Sequence, residues 1–154
     1  MQHIMTDWEQ QIDWAKLRKF RVERMVTVMK QKGIRAVLLA KLDTIRYATS
    51  FHSVQTWMFH GNRHIAIVTD EGHVSLLAAS GDVKRVQNTM PWLTDVEPFP
   101  FLMTEGYPVL EKKMKELGIT KGKVGIDMMA FDITRKLRLG FPDIDFVEGG
   151  CVVE

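Results

Sequence analysis

The apolar positions of this chain change their spacing several times, and each change predicts a boundary between secondary-structure elements. Residues 13–32 carry apolar side chains mostly three or four positions apart, which predicts an amphipathic helix. Asp13 is placed to cap its first turn, and Gly33 is placed to end it in the left-handed conformation. The side chains expected to face the core are Leu17, Phe20, Met25, Val28 and Met29.

Short apolar runs predict strands after this helix. One covers residues 36–40, and residues 64–69 and 73–78 form a hairpin around the turn at 70–72. Residues 43–47 are expected to form a single helical turn capped by Asp43. Further strands are predicted at 95–99, 123–127 and 145–148, with helices beginning near Asp82, Tyr107 and Ala130. This alternation predicts an α/β fold with a mixed, roughly six-stranded sheet flanked by helices, in a single domain over residues 1–154.

Composition narrows the function classes. Apolar residues make up 45% of the chain and charged residues 26%, which is typical of a globular protein. The longest apolar run, residues 36–40, is far shorter than the roughly 20 residues that span a membrane, and no signal peptide is visible. The single cysteine, Cys151, excludes an internal disulfide framework and is typical of a reducing compartment. A cytoplasmic protein with no membrane partner is therefore expected.

Basic residues are concentrated in the first third of the chain. Residues 16–46 contain ten Lys or Arg residues and only two acidic ones, Glu23 and Asp43. Such a basic stripe can contact nucleic-acid phosphates. However, aromatic side chains do not alternate with these cations as single-strand binding requires. A solvated helix face is the preferred interpretation, and no nucleic-acid partner is expected.

The sequence contains no complete catalytic motif of the phosphate-loop, dinucleotide-binding, zinc-protease or nucleophile-elbow type. His60 and His64 would share a face of a strand, so a metal pair is geometrically feasible, but no carboxylate is evident as a third ligand. Cys151 lies beside two valines and is expected to be a small buried hydrophobic side chain. No catalytic or metal-ligating residue is therefore assigned in this chain.

Several segments together resemble the N-terminal domain of creatinase, prolidase and Xaa-Pro aminopeptidases. They are Arg24-Met25 within a helix, residues 33–39 (GIRAVLL) and residues 43–51 (DTIRYATSF), followed by residues 63–68, 70–72 and 124–127. The family pattern often has Asp where this chain has Arg35, and usually Gly where it has Ser50. Residues 148–154 (EGGCVVE) resemble the start of the connector that leads to the next domain. The resemblance covers the chain from about residue 14 to residue 154.

The resemblance implies a fold with a ribonuclease H-like motif and a non-catalytic role. It implies that a separate "pita-bread" catalytic domain, absent from this chain, holds two divalent metal ions (Mn, Co or Zn) on two Asp, one His and two Glu. It also implies that this domain supports a homodimer and caps the active site over a peptide or small zwitterionic substrate. The residues expected to reach such a substrate are Trp57, Phe59, His60 and Arg63.

A second hypothesis remains open at this stage. The chain could be a stand-alone binding or interaction module of the same fold, without enzymatic activity. Residues 148–154 end in an apolar run after a Gly pair, which favours a cut at a domain boundary and hence a parent hydrolase. Among parent activities, prolyl-bond peptidase, creatinase-like amidinohydrolase and lyase are not distinguished by the sequence.

Overall fold

Helices and strands alternate along the residues that the computed structural model describes, which are 11–52, 63–100 and 105–153. The helices are α1 (Trp14–Lys32), α2 (Leu42–Thr49), α3 (Val83–Thr89), α4 (Tyr107–Glu116) and α5 (Phe131–Gly140). The strands are β1 (Ile34–Leu39), β2 (Ile65–Thr69), β3 (Val74–Ala79), β4 (Asp95–Phe99), β5 (Gly122–Ile126) and β6 (Ile144–Glu148). The predicted α/β fold with a mixed six-stranded sheet is confirmed.

The six strands form one sheet in the order β4-β3-β2-β1-β5-β6. β2 is antiparallel to both neighbours, whereas β1 pairs in parallel with β5, β5 with β6, and β3 with β4. Five strands of the described sheet therefore run in one direction and β2 runs in the other. As a result, the carboxyl ends of five strands share one edge of the sheet with the beginning of β2.

The sheet separates two apolar layers. Alternate residues of β1 point to opposite faces, so Ala36 and Leu38 belong to one layer and Val37 and Leu39 to the other. The first layer is completed by α4 and α5, and the second by α1, α2 and α3. Because both faces are covered, the central strands are apolar on both sides, which explains the continuous apolar run seen in the sequence.

Helix α1 begins and ends where the sequence predicts. The Asp13 carboxylate accepts a hydrogen bond from the Lys16 N–H at 2.9 Å, and Gly33 adopts the left-handed conformation with φ of 66°. The predicted core stripe is only partly right, because Met25 and Met29 are buried whereas Phe20 is 59% exposed. Phe20 lies on the solvent side because α1 covers the sheet with a narrower face than the apolar spacing suggested.

The interpretation of residues 43–47 is wrong in two respects. α2 has eight residues rather than a single turn, and its start is not capped by Asp43. The Asp127 carboxylate, which follows β5, instead accepts hydrogen bonds from the N–H of Ala40 at 2.7 Å and of Lys41 at 3.3–3.4 Å, and from the Thr44 hydroxyl. A carboxylate far away in sequence therefore holds the residues directly before α2.

The last described residues also differ from the expectation. Residues 150–152 form a short 3₁₀ helix rather than a strand-like run, and the Glu148 carboxylate accepts hydrogen bonds from the N–H groups of Gly150 and Cys151. Cys151 is half-buried rather than buried, although it packs against the α1 layer. Arg24 holds this segment to α1 by donating to the Val153 carbonyl at 2.9 Å.

Candidate functional site

The carboxyl edge of the parallel strands is the place where open α/β sheets usually bind ligands. Of the four predicted capping residues, Arg63 lies at this edge, half-buried and two residues before β2. Trp57, Phe59 and His60 lie outside the described residues. The structure therefore gives the position of Arg63 alone. That the four side chains lie together stays a prediction.

A chain of polar contacts joins the two ends of the segment that carries the predicted capping residues. Asp82, just before α3, accepts a hydrogen bond from Arg85 Nε at 3.0 Å, and its other oxygen lies 3.8 Å from His64 Nε2. Arg85 also donates to the carbonyl oxygen of His52 at 2.9 Å. His52 precedes residues 53–62 and His64 follows them closely. The contacts thus fix the positions at which this segment leaves and re-enters the fold. We call this set of four residues the anchor network.

His64 is held within the anchor network as a neutral side chain. Its Nδ1 accepts a hydrogen bond from the Ala79 N–H at 3.1 Å, and its ring packs against Phe51 with centroids 4.6 Å apart. Desolvation by burial, opposed by Asp82 and reinforced by Arg85 and Arg63, lowers the pKa of His64 from 6.5 to about 4. At neutral pH the ring proton therefore resides on Nε2, the nitrogen that faces Asp82.

This geometry bears on the suggested His60 and His64 metal pair. The Nδ1 lone pair of His64 is already used by a backbone N–H, and Nε2 carries a proton. In this state, binding a metal ion or a proton at Nδ1 would cost the hydrogen bond from Ala79. His60 lies outside the described residues. Within the described ranges, no group of three or more His, Cys, Asp or Glu side chains could hold a metal ion.

Asp127 is a structurally important carboxylate that sequence reasoning missed. It follows β5 at the carboxyl edge and binds the backbone that links β1 to α2. The signal in the sequence was an Asp directly after a buried strand, within the segment 124–127. Because α2 ends at Thr49, three residues before His52, fixing the start of α2 also orients the chain that leads to segment 53–62.

A second polar cluster contains Ser, His and Asp but does not have the geometry of a catalytic triad. His73 Nε2 lies 3.1 Å from Ser75 Oγ and 2.8 Å from Asp95 Oδ2, so one ring nitrogen contacts both groups. A relay needs the two ring nitrogens to contact the two partners separately. Lys113 from α4 donates to Asp95 and to Glu97 at 2.7 and 2.6 Å. The cluster is therefore an ion-pair network near the amino ends of β3 and β4.

Helices that could span a bilayer are not found among the described residues. A search of curated protein sequences gave no match.

The comparison with solved structures shows the same fold in peptidases. The chain aligns with an Xaa-Pro dipeptidase from Bacillus anthracis at a TM-score of 0.64 and 16% identity, covering 89% of this chain and 35% of that one. A prolidase from Thermococcus sibiricus aligns at 0.67 and 18% identity, with 88% and 35% covered. The N-terminal domain of the cytoplasmic peptidase PepQ from Mycobacterium tuberculosis H37Rv aligns at 0.65 and 17% identity, with 87% and 95% covered.

The coverage values show that this chain corresponds to one part of the longer peptidases. The chain spans about a third of the length of the two complete peptidases and nearly all of the isolated PepQ domain. A family model described as the Creatinase/Prolidase N-terminal domain matches residues 21–154. This chain therefore belongs to the family of creatinase/prolidase N-terminal domains.

Proposed function

We propose that this chain is the accessory domain of a metal-dependent Xaa-Pro peptidase or a related hydrolase, and that its carboxyl edge caps the active site of a catalytic domain. The observation that carries the proposal is the anchor network, which fixes both ends of segment 53–62. Substrate positioning requires side chains that are held to within a fraction of an ångström by their surroundings. His52 and His64, the described members of the network on either side of this segment, are held in place by its contacts.

The chemistry assigned to this domain is binding rather than bond cleavage. Arg63 is the residue that would pair with the carboxylate of a peptide or small zwitterionic substrate, because a guanidinium can donate two parallel hydrogen bonds to one carboxylate. Trp57, Phe59 and His60 would form the remaining wall. Two divalent ions (Mn, Co or Zn) in the catalytic domain would supply the activated water.

The first experiment is to read the source gene beyond the codon for Glu154. A continuing frame that encodes an ordered set of two Asp, one His and two Glu metal ligands supports the accessory-domain proposal. A frame without those ligands contradicts it and supports the alternative of a stand-alone binding module.

The second experiment measures steady-state kinetics of the parent enzyme with Arg63→Ala and Arg63→Lys substitutions. Losing the paired guanidinium should raise KM by about tenfold or more, and lysine should restore only part of the loss. Arg135→Ala is the matched control, since Arg135 is an exposed arginine on α5 that pairs only with Asp132 among the contacts described. Unchanged KM and kcat in a folded Arg63→Ala enzyme would exclude the capping role.

We also propose that the domain contributes to a homodimer. Exposed apolar side chains occur at and near α5: Met128 is 71% exposed, Phe131 84% and Leu139 75%. Large apolar side chains left in water favour burial against another protein surface. Sedimentation velocity at tens of micromolar should show a dimer that Phe131→Ser weakens. A monomer at that concentration would show that this domain does not carry the interface by itself.

A further inference from the structure

A surface groove of about 870 Å³ lies between the first turns of α1, the end of α2 and the segment after α3. We call it the arginine groove. Its lining includes three arginines, two tryptophans and one serine: Arg18, Arg21, Arg46, Trp14, Trp92 and Ser50. Phe51 and His52 complete the lining, so the groove adjoins the anchor network at His52, whereas Arg63 is not among its lining residues.

Two of the arginines are held in place by aromatic rings. The guanidinium carbon of Arg18 lies 4.3 Å from the centre of the Trp92 ring, and that of Arg21 lies 5.3 Å from the Tyr47 ring. Trp92 is itself fixed, because its Nε1–H donates to the Thr49 carbonyl at 2.8 Å. Contact through the flat face of a guanidinium leaves the N–H groups at its edges available for an anion.

The charges of the arginine groove are not balanced within it. Among the described residues, no carboxylate forms an ion pair with Arg18, Arg21 or Arg46, whereas nine other Lys and Arg residues of the fold pair with an acidic side chain. The Ser50 hydroxyl is buried and has no hydrogen-bond partner among the described residues. The groove therefore offers donors without matching acceptors.

We propose that the arginine groove binds an acidic segment of a partner protein, with an aromatic residue next to its carboxylates. Three guanidinium groups suit carboxylates because each can donate two parallel hydrogen bonds to one of them. Arg and Trp are also the residue types that dominate binding energy at protein interfaces. A volume of this size accommodates a few peptide residues.

The same geometry disfavours single-stranded nucleic acid as the occupant. Such ligands need open aromatic faces on which bases can stack. One face of Trp92 is already covered by Arg18, and the face of Tyr47 is approached by Arg21 and by Arg24 at 5.9 Å. Trp14 also lines the groove and is 41% exposed, so it can contact a side chain of the partner.

The test is a selection of random twelve-residue displayed peptides on the immobilised chain, followed by affinity measurements with the best synthetic peptide. The groove variant is Arg18→Gln with Arg21→Gln. Its control, Lys30→Gln with Lys32→Gln, removes the same charge from the last turn of the same helix. We expect enriched peptides to combine acidic and aromatic residues, with binding about tenfold or more weaker to the groove variant and little changed in the control.

Additional variants separate geometry from net charge and from folding. Arg18→Lys keeps the charge but removes the planar fork, so it should weaken binding severalfold. Arg46→Gln changes an exposed side chain and provides a groove variant that should fold normally. The proposal is overturned by the absence of any enriched peptide, by equal binding to groove and control variants, or by a single-stranded oligonucleotide that binds more tightly than the peptide at equal salt.

Discussion

Replacing Lys113 with methionine should leave several carboxylates without their shared counter-ion. The Lys113 ammonium lies 2.7 Å from Asp95 Oδ1, 2.6 Å from Glu97 Oε1 and 3.8 Å from Glu116 Oε2, and only 7% of its side chain is exposed. Methionine keeps most of the apolar stem that packs against the sheet. The substitution therefore tests the charge of Lys113 rather than its packing.

The expected cost follows from the burial of both partners. Removing one partner of a fully buried ion pair costs about 3–5 kcal/mol because the other charge stays desolvated. Here the side chains of Asp95 and Glu97 are 20% and 32% exposed, so water screens part of the unpaired charge. We expect a loss of about 2–3 kcal/mol, which corresponds to a decrease in Tm of about 6–9 °C for a domain of this size.

The pH dependence gives an independent check. Burial raises the pKa of Asp95, but hydrogen bonds from Lys113, Ser75 and His73 outweigh it and leave this pKa below 3.8. Burial lowers the pKa of Lys113, but its bonds to Asp95 and Glu97 leave this pKa above 10.5. The Asp95 carboxylate stabilises the folded state fully at pH values above its ordinary pKa. This stabilisation is lost as the pH falls through the lower pKa that Asp95 has in the folded state. The Lys113 ammonium stabilises the folded state fully at pH values below its ordinary pKa. This stabilisation is lost as the pH rises through the higher pKa that Lys113 has in the folded state.

The wild type should therefore keep the contribution of this cluster across neutral pH. In Lys113→Met, Asp95 loses the ammonium whose hydrogen bond helps to hold its pKa down, so protonation of Asp95 in acid should relieve its unpaired charge. The difference in unfolding free energy between wild type and variant should narrow below about pH 5.

Urea unfolding at pH 7 and pH 4.5 measures both effects. Lys112→Met is the control, because Lys112 is the adjacent residue on α4 and its side chain is 70% exposed. It should change stability by less than about 0.5 kcal/mol. Adding Glu97→Gln to Lys113→Met should recover part of the loss, since it removes one unpaired charge. Equal stability of the two lysine variants, or a difference that does not change with pH, would refute this reasoning.

Three further predictions concern the carboxyl edge. Asp127→Ala should cost about 2 kcal/mol in urea unfolding, because it removes the acceptor of two backbone N–H groups, whereas Asp145→Ala on an exposed strand position should cost little; equal losses would contradict the role of Asp127 in holding the link between β1 and α2. His64 binds protons less readily in the folded state, with a pKa of about 4, so stability should fall as pH drops from 6.5 to 4, and a His64→Gln variant should show a smaller fall. Ser50→Gly should raise Tm, because Ser50 has a φ of 53° that glycine adopts without strain, and because its hydroxyl is buried without a partner among the described residues. A lower Tm would contradict this reasoning.

Much of the fold could be predicted because its signals are local. The Asp13 cap and the Gly33 ending of α1 depend on residues within one helical turn, and the hairpin at 70–72 depends on a turn of three residues. The apolar runs of β1 and β2 showed that both faces of the sheet would be covered. Errors arose where apolar spacing was read without the partner surface, as for Phe20.

The candidate site was less accessible to sequence reasoning because its contacts join distant positions. Asp127 accepts a hydrogen bond from the backbone N–H of Ala40, 87 residues earlier, and Arg85 binds a carbonyl 33 residues away. No local pattern marks either pair, since their proximity results from the order in which the strands assemble. Arg63 was named from a family resemblance, and the role proposed for it is still a prediction.

The sequence by itself determined which segments are helices and strands, because those choices depend on backbone preferences and on apolar periodicity within a few residues. Only the tertiary structure decided which charges meet. It placed Lys113 between Asp95 and Glu97, gave His64 its low pKa and left the arginines of the arginine groove without acidic neighbours among the described residues. The physical reason is that burial and pairing of charged groups depend on every element packed around them, and the sheet brings those elements together only after the whole domain has folded.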